Sequence, residues 1–370
     1  MSNRKLSKQE AIDLVTGAKI LACGGGGSET NALKNIKRVY DKGANFTISN
    51  LEEFEQDEYI CIIGMVGGGI TEQDWELVKD REISLKKPMV TAVKELEEFL
   101  GIEFSAFVAT EIGPNNSVIP MMVAAEMERV AINGDCCGRS KPMISISTTR
   151  VAEIPITPFS IVSQYGDIQI IKKTTDDVRG ELIARTASRL SGGSVSVARC
   201  PMQIKNARTA VIPNTFSLAI ELGKKVREAN EQETCPIEAI KNSVPNIKHI
   251  FTGKVTDFSR NEKGGFTSGE ICFQSSKNSN INLKVWYQNE YLLSWINNKQ
   301  YVTCPDGFYI VDNQTGLGLT PWEQDFEVGR EVSIFTRDAP EIWTSKIGLK
   351  IFGPKAFDKN WNEYKKSSTL

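Results

Sequence analysis

The chain has 370 residues, 44 basic against 46 acidic side chains and a net charge of −2. That length holds two domains with ample cores, and an even charge balance without a basic stripe argues against a nucleic-acid partner. A polar, charged start and no apolar run near the roughly 20 residues that span a bilayer lead to the expectation of a cytoplasmic protein that does not enter a membrane.

Ser7-Lys8-Gln9-Glu10 reads as a capping box opening a helix through Ile12, Val15 and Ile20. Leu21-Ala22-Cys23-Gly24-Gly25-Gly26-Gly27-Ser28 follows, then a second helix from near Glu29 through Leu33, Ile36 and Tyr40. Each glycine costs roughly 0.5–1 kcal/mol of backbone entropy against alanine, so such a run is expected where φ is positive or another group approaches closely. Two readings stand: a loop whose amides, ahead of a helix N-terminus, cradle a carboxylate, phosphate or oxyanion, or a tight turn packed against a neighbour. The loop carries no nucleotide motif, since it lacks both the Lys-Ser/Thr of a P-loop and a G-x-G-x-x-G frame.

Residues 45–49 and 59–65 read as strands, the second ending in Val66-Gly67-Gly68-Gly69. Pro88 opens a helix that Gly101 ends; 104–110 is a strand, 118–128 a helix and 130–133 a short strand. This alternation predicts an α/β domain with a mainly parallel sheet, whose ligand sits beyond the carboxyl ends of strands. Residues 159–172 read as a hairpin turning at Tyr165-Gly166-Asp167. Helices follow at 176–190, 214–230 and 236–242. The pattern then becomes period two, with strands at 250–257, 265–274, 282–288, 291–296, 300–304, 307–312, 331–335 and 347–351. Many short strands with Asn-rich turns predict a barrel or sandwich, and the last dozen residues are expected to fray.

The eight cysteines show no C-x-x-C spacing, and one histidine, His249, excludes a His₂ or His₃ metal site within one chain. Cys61 and Cys272 fall in strand-like runs and read as buried apolar residues, and His249 reads as structural. Glu111 sits where an apolar strand meets Gly113-Pro114-Asn115-Asn116-Ser117; there a carboxylate binds a cation, accepts a ligand N–H or acts as a base. Asn116 or Ser117 alternatively only caps the helix. Asn133-Gly134-Asp135-Cys136-Cys137-Gly138-Arg139 combines a carboxylate, two thiols and a guanidinium. Arg139 either grips a substrate carboxylate or pairs with Asp135, and either thiol is a nucleophile or soft-metal ligand only if its pKa is lowered. Glu290 and Asp306 lie at strand ends, as site residues or as exposed turn acids.

Together these landmarks resemble the S-methyl thiohydantoin desulfurase-like family: the glycine loop at 21–28, Glu111-Ile112-Gly113 with Asn116-Ser117, the segment 133–139, Asn289-Glu290, Pro305-Asp306 and Gly353-Pro354-Lys355-Ala356-Phe357. The chain differs at Ser28 and Asn133, where the family usually carries aspartate, at Cys136 and Cys137, and at Met143. The resemblance covers about residues 7–358. It implies an α/β domain over 1–168 and an α+β domain over 169–358, helical at 175–243 and then rich in antiparallel β, with 359–370 as the frayed tail. It also implies a small cyclic amide or thiohydantoin as substrate and an association with hydantoinase/oxoprolinase proteins; a homo-oligomer is expected.

The resulting expectation is a hydrolase of a hydantoin- or thiohydantoin-type ring. Glu111 or Asp135 activates water. The amides of Gly24, Gly25, Gly26 and Gly27 steady the developing anion, and Arg139 orients a substrate carboxylate. Ser28, Asn116, Glu290 and Asp306 complete the binding set. A zinc ion held by Asp135, Glu111 or a cysteine is left open. The rival expectation is a non-catalytic ligand-binding subunit that supports a hydantoinase/oxoprolinase partner.

Overall fold

The computed structural model describes residues 3–67, 71–263, 265–322 and 325–370. Gly68 and Gly69 of the expected strand-end cluster lie outside them. Nine strands form a first sheet: β1 (Arg4–Lys5), β2 (Thr47–Ser49), β3 (Tyr59–Gly67), β4 (Phe104–Ala109), β5 (Val130–Asp135), β6 (Phe159–Val162), β7 (Ile168–Ile171), β8 (Ser194–Gln203) and β9 (Ile212–Pro213). Their order is β1-β2-β5-β4-β3-β8-β6-β7, with β9 beside β5. Pairing is parallel along β2-β5-β4-β3 and antiparallel elsewhere. The sheet expected to be mainly parallel is therefore mixed.

The source of the difference is β8, a strand that the sequence reading did not assign. Its serines and Arg199 look like loop residues, yet Ser196 and Arg199 are buried between β3 and β6. It also comes from beyond residue 168, so the first sheet draws on both halves of the chain.

Among the described residues ten α-helices accompany this sheet: α1 (Lys8–Leu21), α2 (Glu29–Tyr40), α3 (Glu72–Glu76), α4 (Pro88–Leu100), α5 (Pro114–Glu126), α6 (Thr148–Val151), α7 (Asp177–Leu190), α8 (Ile204–Ala210), α9 (Thr215–Glu231) and α10 (Pro236–Ser243). The capping box of α1 forms as read, with Ser7 and Glu10 bonding reciprocally. β3 shows why the layers stack. Ile60, Ile62 and Val66 enter one core with β8, α7 and α8, while Cys61 and Ile63 enter another with α1, α5 and α9. Period-two alternation thus buries both faces.

The second sheet contains β10 (Lys248–Phe258), β11 (Asn261–Lys263), β12 (Phe266–Ser275), β13 (Asn282–Gln288), β14 (Glu290–Ile296), β15 (Lys299–Thr303), β16 (Gly307–Asp312) and β17 (Glu331–Arg337). All its pairings are antiparallel, in the order β15-β14-β13-β12-β10-β17-β16, giving a half-barrel. Two short helices follow, α11 (Glu341–Thr344) and α12 (Lys346–Phe352). The stretch 347–351, expected as a strand, is thus helical. The Ser345 side chain caps the Gly348 amide, and one turn later Phe352 packs edge-on against Trp343. The final residues, expected to fray, include buried Trp361 and Ser367, and the Ser367 amide donates to Asp306. Among the described residues no helix is long and apolar enough to cross a membrane.

α1 and α9 meet without side chains between them. A Cβ on Gly17 would lie 1.9 Å from the Ala219 carbonyl oxygen, and one on Gly223 1.8 Å from that of Asp13. Arg227 of α9 then bridges to Asp13 of α1 through two hydrogen bonds. Because the obstacle is backbone, Gly17→Ala or Gly223→Ala is expected to destabilise the fold by about 1–3 kcal/mol, as overpacking does. Urea denaturation reads this as a lowered midpoint; an unchanged midpoint would show that the helices part freely.

Candidate functional site

The glycine loop is built by close approach. Gly24, Gly26 and Gly27 have φ of +89°, +85° and +84°, a region that L side chains rarely adopt. A Cβ on Gly26 would stand 2.4 Å from the Gly113 Cα, and one on Gly25 2.1 Å from Glu290 Oε1. The Gly26 carbonyl accepts the amides of Asn115 and Asn116, so the loop itself caps α5. From the other side, the Tyr291 amide donates to the Cys23 carbonyl at 2.8 Å, joining β14 to the loop. The loop therefore ties the end of β4, the start of α5 and the start of β14 together.

Around this junction opens a cleft of about 600 Å³. Gly25, Gly26, Gly27, Ser28, Glu111, Asn116 and Glu290 line it, as the sequence reading grouped them. Ser28 caps α2 through the Asn31 amide. Glu111 is buried. Its Oε1 accepts Asn116 Nδ2 at 2.7 Å, and its Oε2 accepts the Lys141 amide at 3.2 Å and Lys141 Nζ at 3.3 Å. A carboxylate has about four lone-pair sites, so one on Oε1 remains for a ligand or water. Lys141 Nζ also bonds the Thr110 carbonyl and hydroxyl, and the hydroxyl in turn accepts from buried Arg199.

Glu290 differs. It is buried, and its Oε2 has no partner among the described residues. Burial, and then the charge of Glu111, push its carboxyl well above the usual range. Its surroundings therefore favour the neutral, proton-bearing form. The cleft thus holds two carboxyl groups in opposite environments, one in an ion pair and one desolvated.

Several charged and aromatic residues of the cleft carry no signal in the sequence. Lys141 is one. Arg185 of α7 crosses to the second sheet, its guanidinium 4.3 Å from the Phe266 ring centre while pairing with Glu181 at 2.7 Å. Arg260 lies in the wall beside Trp322, whose indole N–H donates to the Gly24 carbonyl at 3.0 Å. A positively charged residue between Ser259 and Asn261 carries no local signal of a site; only the meeting of the two sheets makes it one.

Other expected site residues stand elsewhere. Gly24 packs under the Tyr291 ring, outside the cleft lining. Arg139 is buried and donates to the carbonyls of Ser140, Tyr291 and Asp306, so its guanidinium fastens loops rather than a substrate. Asp306 accepts the amides of Ala339 and Ser367 and the Tyr364 hydroxyl. It anchors the C-terminal segment. Asp135 is buried away from the cleft and accepts the Cys137 and Gly138 amides at 2.7 and 2.6 Å. Cys136 and Cys137 are buried thiols, and burial pushes Cys136 up to about 12 and Cys137 further in the same direction. Neither is an activated nucleophile. His249 rests against Phe335 and bonds the Thr252 hydroxyl.

A zinc ion does not fit these side chains. Among the described residues no three His, Cys, Asp or Glu groups converge, and the ammonium of Lys141 already occupies Glu111.

Asp135 makes stability depend on pH. Burial raises its pKa from 3.8 to about 6, against the pull of its two amide donors. The Thr215 hydroxyl is near enough to lower the value but forms no hydrogen bond with Oδ2. A raised carboxyl pKa means the fold favours the neutral form. That contribution is complete below about 3.8 and is lost as pH rises through about 6, by up to about 3 kcal/mol. Asp135→Asn keeps the acceptor oxygen and is expected to flatten this fall between pH 4 and 7. Equal slopes for both proteins in denaturation at several pH values would remove Asp135 as the source.

A crystal structure of a protein from Chromobacterium violaceum is similar in fold, with a TM-score of 0.74 at 18% identity, covering 98% of this chain and 100% of that one. No curated protein matches the chain. Profiles described as "S-Me-THD-like, N-terminal domain" and "S-Me-THD-like, C-terminal domain" match residues 9–173 and 175–366. The chain therefore belongs to the S-methyl thiohydantoin desulfurase-like (S-Me-THD-like) family.

Proposed function

We propose that the cleft hydrolyses a small hydantoin- or thiohydantoin-type ring, with S-methyl thiohydantoin desulfurization as the specific reaction. The observation that carries this reading is the unequal pair Glu111 and Glu290. A neutral acid and an ion-paired carboxylate in one cleft divide the general-acid and general-base roles. Water on the free lone pair of Glu111 Oε1 gives its proton to Glu111, and its oxygen adds to the ring carbon that bears sulfur. The carbon–sulfur bond then breaks. Glu290 supplies the proton taken by the departing thiolate, leaving methanethiol and a hydantoin. Family membership supports the substrate class.

The near-saturation of Glu111 by Asn116 and Lys141 favours a second reading: a binding subunit that works with a hydantoinase/oxoprolinase partner. The same experiment separates the two.

Thiol release and ring opening are followed separately on an S-methyl thiohydantoin and on a plain hydantoin. Glu111→Gln and Glu290→Gln are expected to lower turnover by about 10²–10⁴-fold, the usual worth of acid–base catalysis. Wild-type activity should fall on the alkaline side as Glu290 ionises, and Glu290→Gln should lack that limb. Gly25→Ala, whose Cβ would meet Glu290 Oε1 at 2.1 Å, forces that carboxyl aside and should lose turnover. Full activity in both glutamine variants would overturn the catalytic assignment. A silent wild type that becomes active only with a partner would establish the second reading.

A further inference from the structure

The first sheet ends on one side in β7, which pairs with β6 and with no other described strand. The Ser163 amide donates to the carbonyl of Asp167, its neighbour across the hairpin. Antiparallel pairs alternate between bonded and unbonded, so Gln169 and Ile171 also turn their backbone groups toward β6. The N–H and C=O groups of Ile168 and Ile170 therefore point outward, and they find no partner among the described residues. Other sheet edges are short or covered. β1 is only Arg4 and Lys5. The loop after β16 bonds back onto it, the Leu319 amide donating to the Ile310 carbonyl, and the C-terminal segment reaches β15, where the Asn362 amide donates to the Gln300 side chain. β7 is apolar, Ile168-Gln169-Ile170-Ile171, with Ile168 exposed. Leu77 and Leu190, also exposed, border the same hollow as Asp167 and Gln169. An open apolar edge is a template for another strand.

The residues around β7 say which strand. A two-fold axis normal to the sheet preserves its two faces, so each residue opposes one an even number of places away. Centred on Ile170, the axis sets Ile170 against its own copy, Ile168 against Lys172 and Asp167 against Lys173. Ile168, Ile170 and Lys172 then exchange backbone hydrogen bonds, and the Asp167–Lys173 pair occurs twice. Centring on Gln169 or Ile171 instead puts Asp167 opposite Ile171 or Thr175. Asp167 and Lys173 are both exposed and make no ion pair among the described residues; one Asp167 oxygen holds the Ser163 hydroxyl, which leaves the other free. We propose that β7 pairs antiparallel with β7 of a second copy of this chain about an axis through Ile170, joining two first sheets into one. The exposed leucines beside the strand are covered in the same contact. This interface lies outside the cleft and is independent of the chemistry proposed there.

Sedimentation equilibrium of the intact chain tests this. Wild type is expected to have twice the mass of one chain at micromolar concentration. Ile170→Pro removes an outward amide, a change that sheet edges tolerate, and should give a monomer with unchanged circular dichroism. Lys173→Glu turns two attractions into two repulsions and should weaken the dimer at least tenfold. In a Cys235→Ser background, Ile170→Cys should close a disulfide with its own copy on mild oxidation, since such a pair has Cα atoms about 5.5 Å apart. If Ile170→Pro fails to fold, the other two variants decide. A monomeric wild type would overturn the proposal, whatever other protein then binds this edge. So would a dimer that Lys173→Glu leaves intact and Ile170→Cys does not cross-link.

Discussion

The contact between Gly26 and Gly113 is the constraint on which the site depends. Two backbones that would clash through any Cβ lie against each other, and this fixes the glycine loop on the start of α5. The loop carbonyl then satisfies two amides of that helix, so the close approach also completes the hydrogen bonding of the turn. The same loop receives β14 through the Tyr291 amide, which brings a carboxyl group of the second sheet beside one from the first. Neither glutamate would face the other without it.

Once the two carboxyl groups share a cleft, their surroundings divide them. Glu111 has an ammonium, a side-chain amide and a backbone amide as partners, which offset its loss of water. Glu290 has the glycine loop packed against it and one oxygen without a partner among the described residues, so its neutral form is favoured. An ion pair on Glu111, with none on Glu290 among the described residues, gives identical side chains different protonation preferences.

Several polar residues that look chemical in the sequence hold the fold instead. Arg139 fastens the loop after β5 to two carbonyls of the second sheet region, and Asp306 gathers three donors from the C-terminal segment. Asp135 shapes its own loop by accepting two successive amides. Buried polar side chains of this kind are costly unless fully partnered. Their role follows from whether their donors and acceptors are spent inside the protein or remain open to a cavity.

Local order was legible in the residues. The capping box at Ser7, the helix stop at Gly101, the alternating strands after His249 and the need for close approach at the glycine run all follow from short-range sterics and hydrogen bonding, and these act within a few residues of one another. The strand β8 was not legible, because its serines and arginine are buried by neighbours distant in the chain. Residues 347–351 misled for the same reason: their alternation fits a strand, and only the Ser345 cap and the pocket around Trp343 decide for a helix. The sequence by itself determined which residues needed unusual backbone, and it grouped Glu111, Asn116, the glycine loop and Glu290 through family resemblance. The tertiary structure alone decided that Lys141, Arg185 and Arg260 join them and that Arg139, Asp135 and Asp306 do not. Charge environment and solvent access are set by groups far apart in sequence, and they exist only once the two sheets meet.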